Sequence, residues 1–292
     1  MLIQNGVGVE QPYRTRFPST PIISAVTVIS AEQTSPGTIR QNRWTRIHIG
    51  PYSDSASFSP PSDKNNNSGS SSTTTYPRGD DTTGALTPTG ATPAPGTTTG
   101  SSSSSTNNNN NPPATSTAAL QQAGAHRAAL LSDWWTRLGQ IRDVDLAADE
   151  TALQTIRWHK LCINAAFNPS AVLSGGRGNA DMSRDAELRA HLAGVMREIW
   201  AAAPQVLGRA FPASLAGPER ILRSTERNVG SKPSMLLDWE AGRPMEIEVI
   251  LGNTVRIARA RGVEMPRLQT VYALLRSAQE VREAGGEVKG KL

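Results

Sequence analysis

Cysteine is almost absent from this sequence, with Cys162 the single one among 292 residues. That excludes an intramolecular disulfide framework and any zinc site built on several thiolates. Apolar neighbours such as Leu161, Ile163 and Ala165 mark Cys162 as a small buried hydrophobe, and a reducing, cytoplasmic setting is the default expectation. No apolar run reaches the roughly eighteen residues of a membrane span, and residues 1–10 lack the basic-then-apolar order of a secretory leader. No membrane partner is expected. Histidine is scarce too: His48, His126, His159 and His191 are too dispersed for a sequence-evident metal site, and neither a Ser-His-Asp order nor a Walker loop occurs. The formal net charge is only +5, and the basic residues mostly have acids beside them, as Arg142 does with 143–150 and as Arg184 and Arg189 do within 184–189. Nucleic acid is therefore not an expected partner, whereas an anionic small molecule suits a modest positive balance.

What is present is distributed unevenly. Residues 53–118 are nearly all Ser, Thr, Asn, Gly and Pro, with a serine run over 101–105 and an asparagine run over 107–111. So little apolar surface cannot offset the entropy of ordering, and a disordered low-complexity insertion is expected there. Residues 1–52 read as β-rich. Met1-Leu2-Ile3 runs into Gln4-Asn5-Gly6-Val7-Gly8 like a strand entering a glycine turn, and residues 21–30 suit a strand buried on both faces. Ser35-Pro36-Gly37 supplies a turn before two short strands over 38–42 and 45–50. In the second, Ile47 and Ile49 alternate with Arg46 and His48, the pattern of a half-exposed edge strand.

From Ala119 to Leu292 the pattern is helical, and an all-α domain is expected. Its first helix places Leu131, Trp134, Trp135 and Leu138 on one stripe that needs covering. Further helices are expected over 148–167, over 185–203 ending before Pro204, over 219–228, and from Ser234 to Ala241 with Ser234 as N-cap. A long one follows from Met245 to Arg261, stopped at Gly262, and Pro266 opens the last, which runs to about Glu283.

The chemistry concentrates in the second of these helices, where Lys160, Asn164 and Asn168 follow at i, i+4 and i+8 within an otherwise apolar sequence. A lysine facing a protected cleft sheds hydration, and its pKa falls toward the range a general acid needs. The two amides can donate to a carboxylate or accept from a hydroxyl. Spacing alone favours the plainer reading, in which Lys160 snorkels to solvent and the asparagines end the helix ahead of Pro169. Downstream, Ser234 and Glu246 each stand at a helix start, where free N–H groups attract anions. Ser234 can hold a carboxylate there and Glu246 can anchor a hydroxyl or orient Lys160; the plainer reading makes them an N-cap and a first-turn acid.

A family resemblance joins these stretches. Trp158-x-Lys160-Leu161-x-x-Asn164-x-x-x-Asn168-Pro169, then Ser234-Met235-x-x-Asp238, Gly242-Arg243-x-x-Glu246-Ile247-Glu248, Leu251-Gly252 and Gly262-Val263-x-x-Pro266 resemble, in order and spacing, the C-terminal helical domain of ketopantoate reductases. Gln4-Asn5-Gly6-x-Gly8, the strand containing Thr27, Pro36-Gly37 and Ile49-Gly50 resemble the second half of that family's Rossmann-type nucleotide-binding domain. The resemblance implies an α/β portion, a partial Rossmann domain over residues 1–52, followed by an all-helical domain of the 6-phosphogluconate dehydrogenase C-terminal-like type over 119–292. It implies NADPH as cofactor and reduction of ketopantoate or a similar small-molecule 2-oxo acid, in pantothenate biosynthesis. In its terms Lys160 is the general acid and Glu246 holds the substrate hydroxyl and helps position the lysine. Asn164, Asn168 and Ser234 bind substrate, and Asn5 lies between nicotinamide and substrate.

The family opens with a strand, a G-x-G-x-x-G turn and a helix for the dinucleotide phosphates, and this sequence contains no such opening. Measured against the family, the chain reads as N-terminally truncated, and half of a doubly wound sheet is not expected to bind NADPH tightly. Two classes stay open: an oxidoreductase, or a non-catalytic helical module for dimerisation or partner binding descended from one. A homodimer through the helical domain is compatible with either.

Overall fold

Strands rich in β-branched residues build a mixed four-stranded sheet in the order β1-β2-β3-β4, comprising β1 (Leu2–Ile3), β2 (Ile22–Ser35), β3 (Thr38–Tyr52) and β4 (Asp143–Leu146). The computed structural model describes residues 1–35, 37–53 and 116–285. Pro36 of the expected turn and almost all of the expected insertion over 53–118 lie outside the described residues. β1 runs parallel to β2, with α1 (Gln11–Arg16) between them, while β2 and β3 form a long antiparallel hairpin and β4 joins β3 in parallel. Two sequence expectations change here. Residues 38–52 form one continuous strand, and its Ile47–Ile49 segment is central, because β4 pairs with it on the side away from β2. The source of β4 is the stretch expected to be wholly helical, so residues 117–146 join the sheet and the helical layer begins only after them.

Helix α2 (Thr117–Arg137) covers one face of the sheet, where Ala128, with Leu131 and Trp135 beside it, packs against Ile23, Ala25, Ile47 and Ile49. The expected stripe is therefore only half right: Trp134 and Leu138 are 58% and 71% exposed. The face that does the covering is set by small residues that hydrophobicity alone underrates. A Cβ on Gly124 would lie 3.2 Å from the Pro51 ring, so the helix can approach the sheet this closely only where its side chains are minimal.

Helix α3 (Glu150–Leu173) leaves the sheet and becomes the centre of the helical layer, packing against α5 (Ala186–Leu207), α7 (Ser234–Glu240) and α9 (Pro266–Glu283), with the shorter α4 (Asn179–Arg184), α6 (Pro218–Thr225) and α8 (Asn253–Arg259) between them in the chain. Its Trp158, Leu161, Cys162, Ala165 and Phe167 are buried with Leu192, Val195, Met196 and Ile199 of α5. Burial pushes the Cys162 thiol up to about 12, so it is an inert core group. Both α3 and α5 run through prolines at which the sequence predicts an end, Pro169 and Pro204. An interior proline costs a helix about 3 kcal/mol. Beyond these two, the helices bury Ala171 and Val172, and Val206 and Leu207, and this apolar burial offsets the loss. Gly208, at φ +69°, then ends α5. No helix among the described residues is long and apolar enough to cross a membrane.

The rotated face of α2 is testable by a pair of substitutions. Ala128→Leu should destabilise the fold by about 1–3 kcal/mol through overpacking, whereas Leu138→Ser should stay within about 0.5 kcal/mol. Urea unfolding of both variants measures the difference, and equal costs would contradict the packing described.

Candidate active site

The turn after β1 brings Asn5 against the helical layer, and it does so by an approach that admits only glycine. Gly6 has φ +80°, and a Cβ on it would sit 2.1 Å from the Val249 carbonyl oxygen. Val7 N–H donates to that same oxygen at 2.9 Å. The oxygen is available because residues Glu248–Gly252 form a π-helical turn in which Asn253 N–H passes over Val249 to bond Glu248. A one-residue slip in helical register thus exposes an acceptor that an α-helix would use internally. The turn is held from α3 as well. The buried Arg157 guanidinium donates to Gln4 O at 2.9 Å and to Gly6 O at 3.2 Å, the carbonyls on either side of Asn5. It also donates to Ser24 Oγ and Ala25 O in β2, and its Nε lies 3.1 Å from the buried carboxylate of Glu10.

Lys160, one turn along α3 from Arg157, donates from Nζ to Asn5 Oδ1 at 2.7 Å and to the Thr27 carbonyl at 2.6 Å. Asn5 Nδ2 in turn donates to Glu246 Oε2 at 2.8 Å. A hydrogen-bonded chain Lys160–Asn5–Glu246 therefore joins residues from α3, the glycine turn and the segment just before the π turn. Burial is the main force lowering the Lys160 pKa to about 8, the Arg157 charge adds to it, and Glu246 opposes it. Such an amine is protonated at neutral pH yet releases its proton far more readily than an ordinary lysine. The crevice beside it, too tight as it stands to hold a water molecule, is lined by Gln4, Asn5, Val26, Leu161 and Asn164.

Of the six residues singled out from sequence, Lys160, Asn5 and Glu246 are bonded together and Asn164 shares their crevice. Asn168 lies two turns further along α3, buried, and its Nδ2 finds no hydrogen-bond partner among the described residues. It does not end the helix, which continues to Leu173. Ser234 is exposed as the first residue of α7; Pro233, not Ser234, holds the N-cap position. Glu246 is exposed and stands just ahead of the helical residues. Sequence reasoning missed Arg157. A charged residue in an apolar helix was the available signal for Arg157, since burial demands a partner such as Glu10.

Residues 152–279 match the family model described as ketopantoate reductase PanE/ApbA C terminal, and residues 1–54 match the one described as ketopantoate reductase PanE/ApbA. A Saccharomyces cerevisiae protein described as uncharacterized protein YDL144C is 37% identical over 138 residues, which are 46% of this chain and 38% of the relative. A 2-dehydropantoate 2-reductase from Nostoc is 30% identical over 120 residues, 41% of this chain and 36% of the relative. Among solved structures, the 2-dehydropantoate 2-reductase of Methylococcus capsulatus superposes with a TM-score of 0.60 at 27% identity, covering 96% of this chain and 66% of that one. The matches thus span under two-fifths of the two relatives and about two-thirds of the solved chain.

The depressed pKa of Lys160 has a consequence for stability. Between pH 8 and 10.5 the unfolded chain holds the lysine proton that the folded chain has released, so this group's contribution to stability rises with pH across that window. Below it the full cost of burying the charge persists. Lys160→Met removes that cost, so the variant's advantage over wild type at pH 7 should shrink by about 2–3 kcal/mol at pH 10. Urea unfolding of both proteins at the two pH values measures it, and parallel pH slopes would count against the shift.

Proposed function

The chain belongs to the ketopantoate reductase family, and from that premise we propose that it is an NADPH-dependent oxidoreductase acting on a 2-oxo acid, ketopantoate or a close analogue. The observation that carries the reading is the Lys160–Asn5–Glu246 chain beside a crevice, with the lysine pKa lowered to about 8. Two of the three ammonium protons of Lys160 are directed to Asn5 Oδ1 and Thr27 O. The third remains for a substrate oxygen.

When bound, NADPH supplies the hydride that ends on C2 of the 2-oxo acid. Lys160 gives its proton to the carbonyl oxygen as that oxygen gains negative charge, so the C=O becomes CH–OH, and the neutral amine takes a proton from solvent. Asn5 fixes where the lysine points, and the Glu246 carboxylate accepts from a substrate hydroxyl. Asn164 supplies an amide donor to the carboxylate end, whereas Asn168 is buried, lines no part of the crevice and makes no substrate contact in this reading. Ser234 offers a hydroxyl at the rim. In this reading the sheet, residues 1–52 with α2 and β4, carries the cofactor side and the helices beyond carry the substrate side.

The groups present suit the nicotinamide end of the cofactor. Side-chain amides of Gln4 and Asn5 and the apolar wall of Val26 match a neutral carboxamide-bearing ring. They do not suit the phosphates. Gly6 and Gly8 do stand between a strand and a helix, but Gly6 is committed to contact with Val249 and leaves no cradle there.

Lys160→Ala should lower kcat/KM for ketopantoate by at least about 100-fold while leaving the circular dichroism spectrum near wild type. In the unmodified protein the rate should fall as pH rises through about 8, because the acid must be protonated. Turnover retained in the alanine variant, followed by loss of nicotinamide absorbance, would remove Lys160 from the mechanism.

A further inference from the structure

Val7 has both backbone polar groups engaged by the segment that follows Glu246. Its N–H meets Val249 O, and its carbonyl accepts from Asn253 Nδ2 at 2.8 Å. The orientation of that amide is dictated from behind. Arg256 donates to Asn253 Oδ1 at 2.7 Å, and because a guanidinium can only donate, the amide oxygen must face it and Nδ2 must face Val7. Arg256 is itself held by Glu248 at 2.7 Å, and Glu248 accepts from the Tyr272 hydroxyl at 2.7 Å.

We infer that Asn253, oriented by Arg256, is a positioning residue for the Lys160 site: it locks the turn carrying Asn5 onto the π turn beside Glu246. Asn253 touches neither Lys160 nor the crevice, so it acts through the turn alone. Without its bond, Val7 keeps one backbone contact to the π turn instead of two, Asn5 Oδ1 can leave the lysine, and water can reach Nζ. The naming of a reaction rests on the oxidoreductase reading, but the effect on the lysine does not.

Asn253→Leu is nearly isosteric and cannot donate, and it leaves every charge facing Lys160, from Arg157 on α3 and Glu246 before the π turn, unchanged. The chain has five lysines, Lys64, Lys160, Lys232, Lys289 and Lys291, so a lysine-labelled NMR titration resolves Lys160, with Lys160→Met as the assignment control. Rehydration should raise its midpoint from about 8 by roughly one pH unit. With ketopantoate and NADPH, kcat should fall and its alkaline limb should move up by the same amount, while KM changes little. An unchanged midpoint in a folded variant would overturn the inference. Should Asn253→Leu fail to fold, Asn253→Ser, too short to reach Val7 O, carries the same expectation. A raised midpoint in a protein that lacks turnover even as wild type would support the positioning role and refute the oxidoreductase reading.

Discussion

A single buried guanidinium determines where the candidate site lies. Arg157 donates to the carbonyls that precede and follow Asn5, to Ser24 and Ala25 in the sheet, and it stands against Glu10. Ser24 completes the group by donating to the Glu10 carboxylate at 2.6 Å. With both side chains about 1% exposed, this pair differs in kind from a surface pair such as Arg137 with Asp133. An exposed pair contributes about 0–1 kcal/mol, whereas removing one partner of a buried pair costs about 3–5 kcal/mol because the other charge is stranded. The same cation also makes Lys160 a stronger acid. Geometry and electrostatics of the site therefore depend on one residue.

Helix α3 transmits that arrangement from one layer to the other. Its N-terminal half lies on the sheet through Arg157, and its C-terminal half is buried among α5, α7 and α9. Lys160 falls at the crossover. The partner acid Glu246 arrives from a segment 241 residues from Asn5 in the chain, and the two meet because Gly6 and Val7 dock on the π turn that follows Glu246. Ending α3 at Pro169 would have left Ala171 and Val172 outside the core. Burial there decides against the local preference of proline.

How far the sequence reveals this depends on the range of the interaction. The spacing of Lys160, Asn164 and Asn168 is a local periodicity, and the apolar faces of α3 and α5 are equally local, so both were legible. The role of Asn5 came from a family resemblance, and nothing in the surroundings of Asn5 or Glu246 says that the two meet. Periodicity could not show that Ile47 and Ile49 belong to a central strand, because β4 comes from residues nearly a hundred positions later. The stripe on α2 was misplaced because Trp134 and Leu138 outweigh Gly124 and Ala128 on any hydrophobic scale, although close approach depends on the small pair. A π turn is a one-residue change of register and has no compositional mark. The pairing of Arg157 with Glu10 is visible only once the sheet has been assembled.

The amide of Asn5 between lysine and glutamate is a chemical choice with an electrostatic reason. A carboxylate in direct contact with Lys160 would favour the charged amine and cancel the effect of burial. With one hydrogen bond of 2.7 Å on one side of the amide and one of 2.8 Å on the other, the two charges are kept apart by the width of a neutral group. Coulomb attraction falls inversely with distance, so this spacing weakens the pull of Glu246 by roughly half relative to contact. Desolvation and Arg157 then prevail, and the pKa settles at about 8 instead of above 10. Glu246 nevertheless keeps a hydrogen-bonded path to the lysine and an exposed face toward the rim. The same carboxylate can hold a ligand hydroxyl and orient the acid without neutralising it.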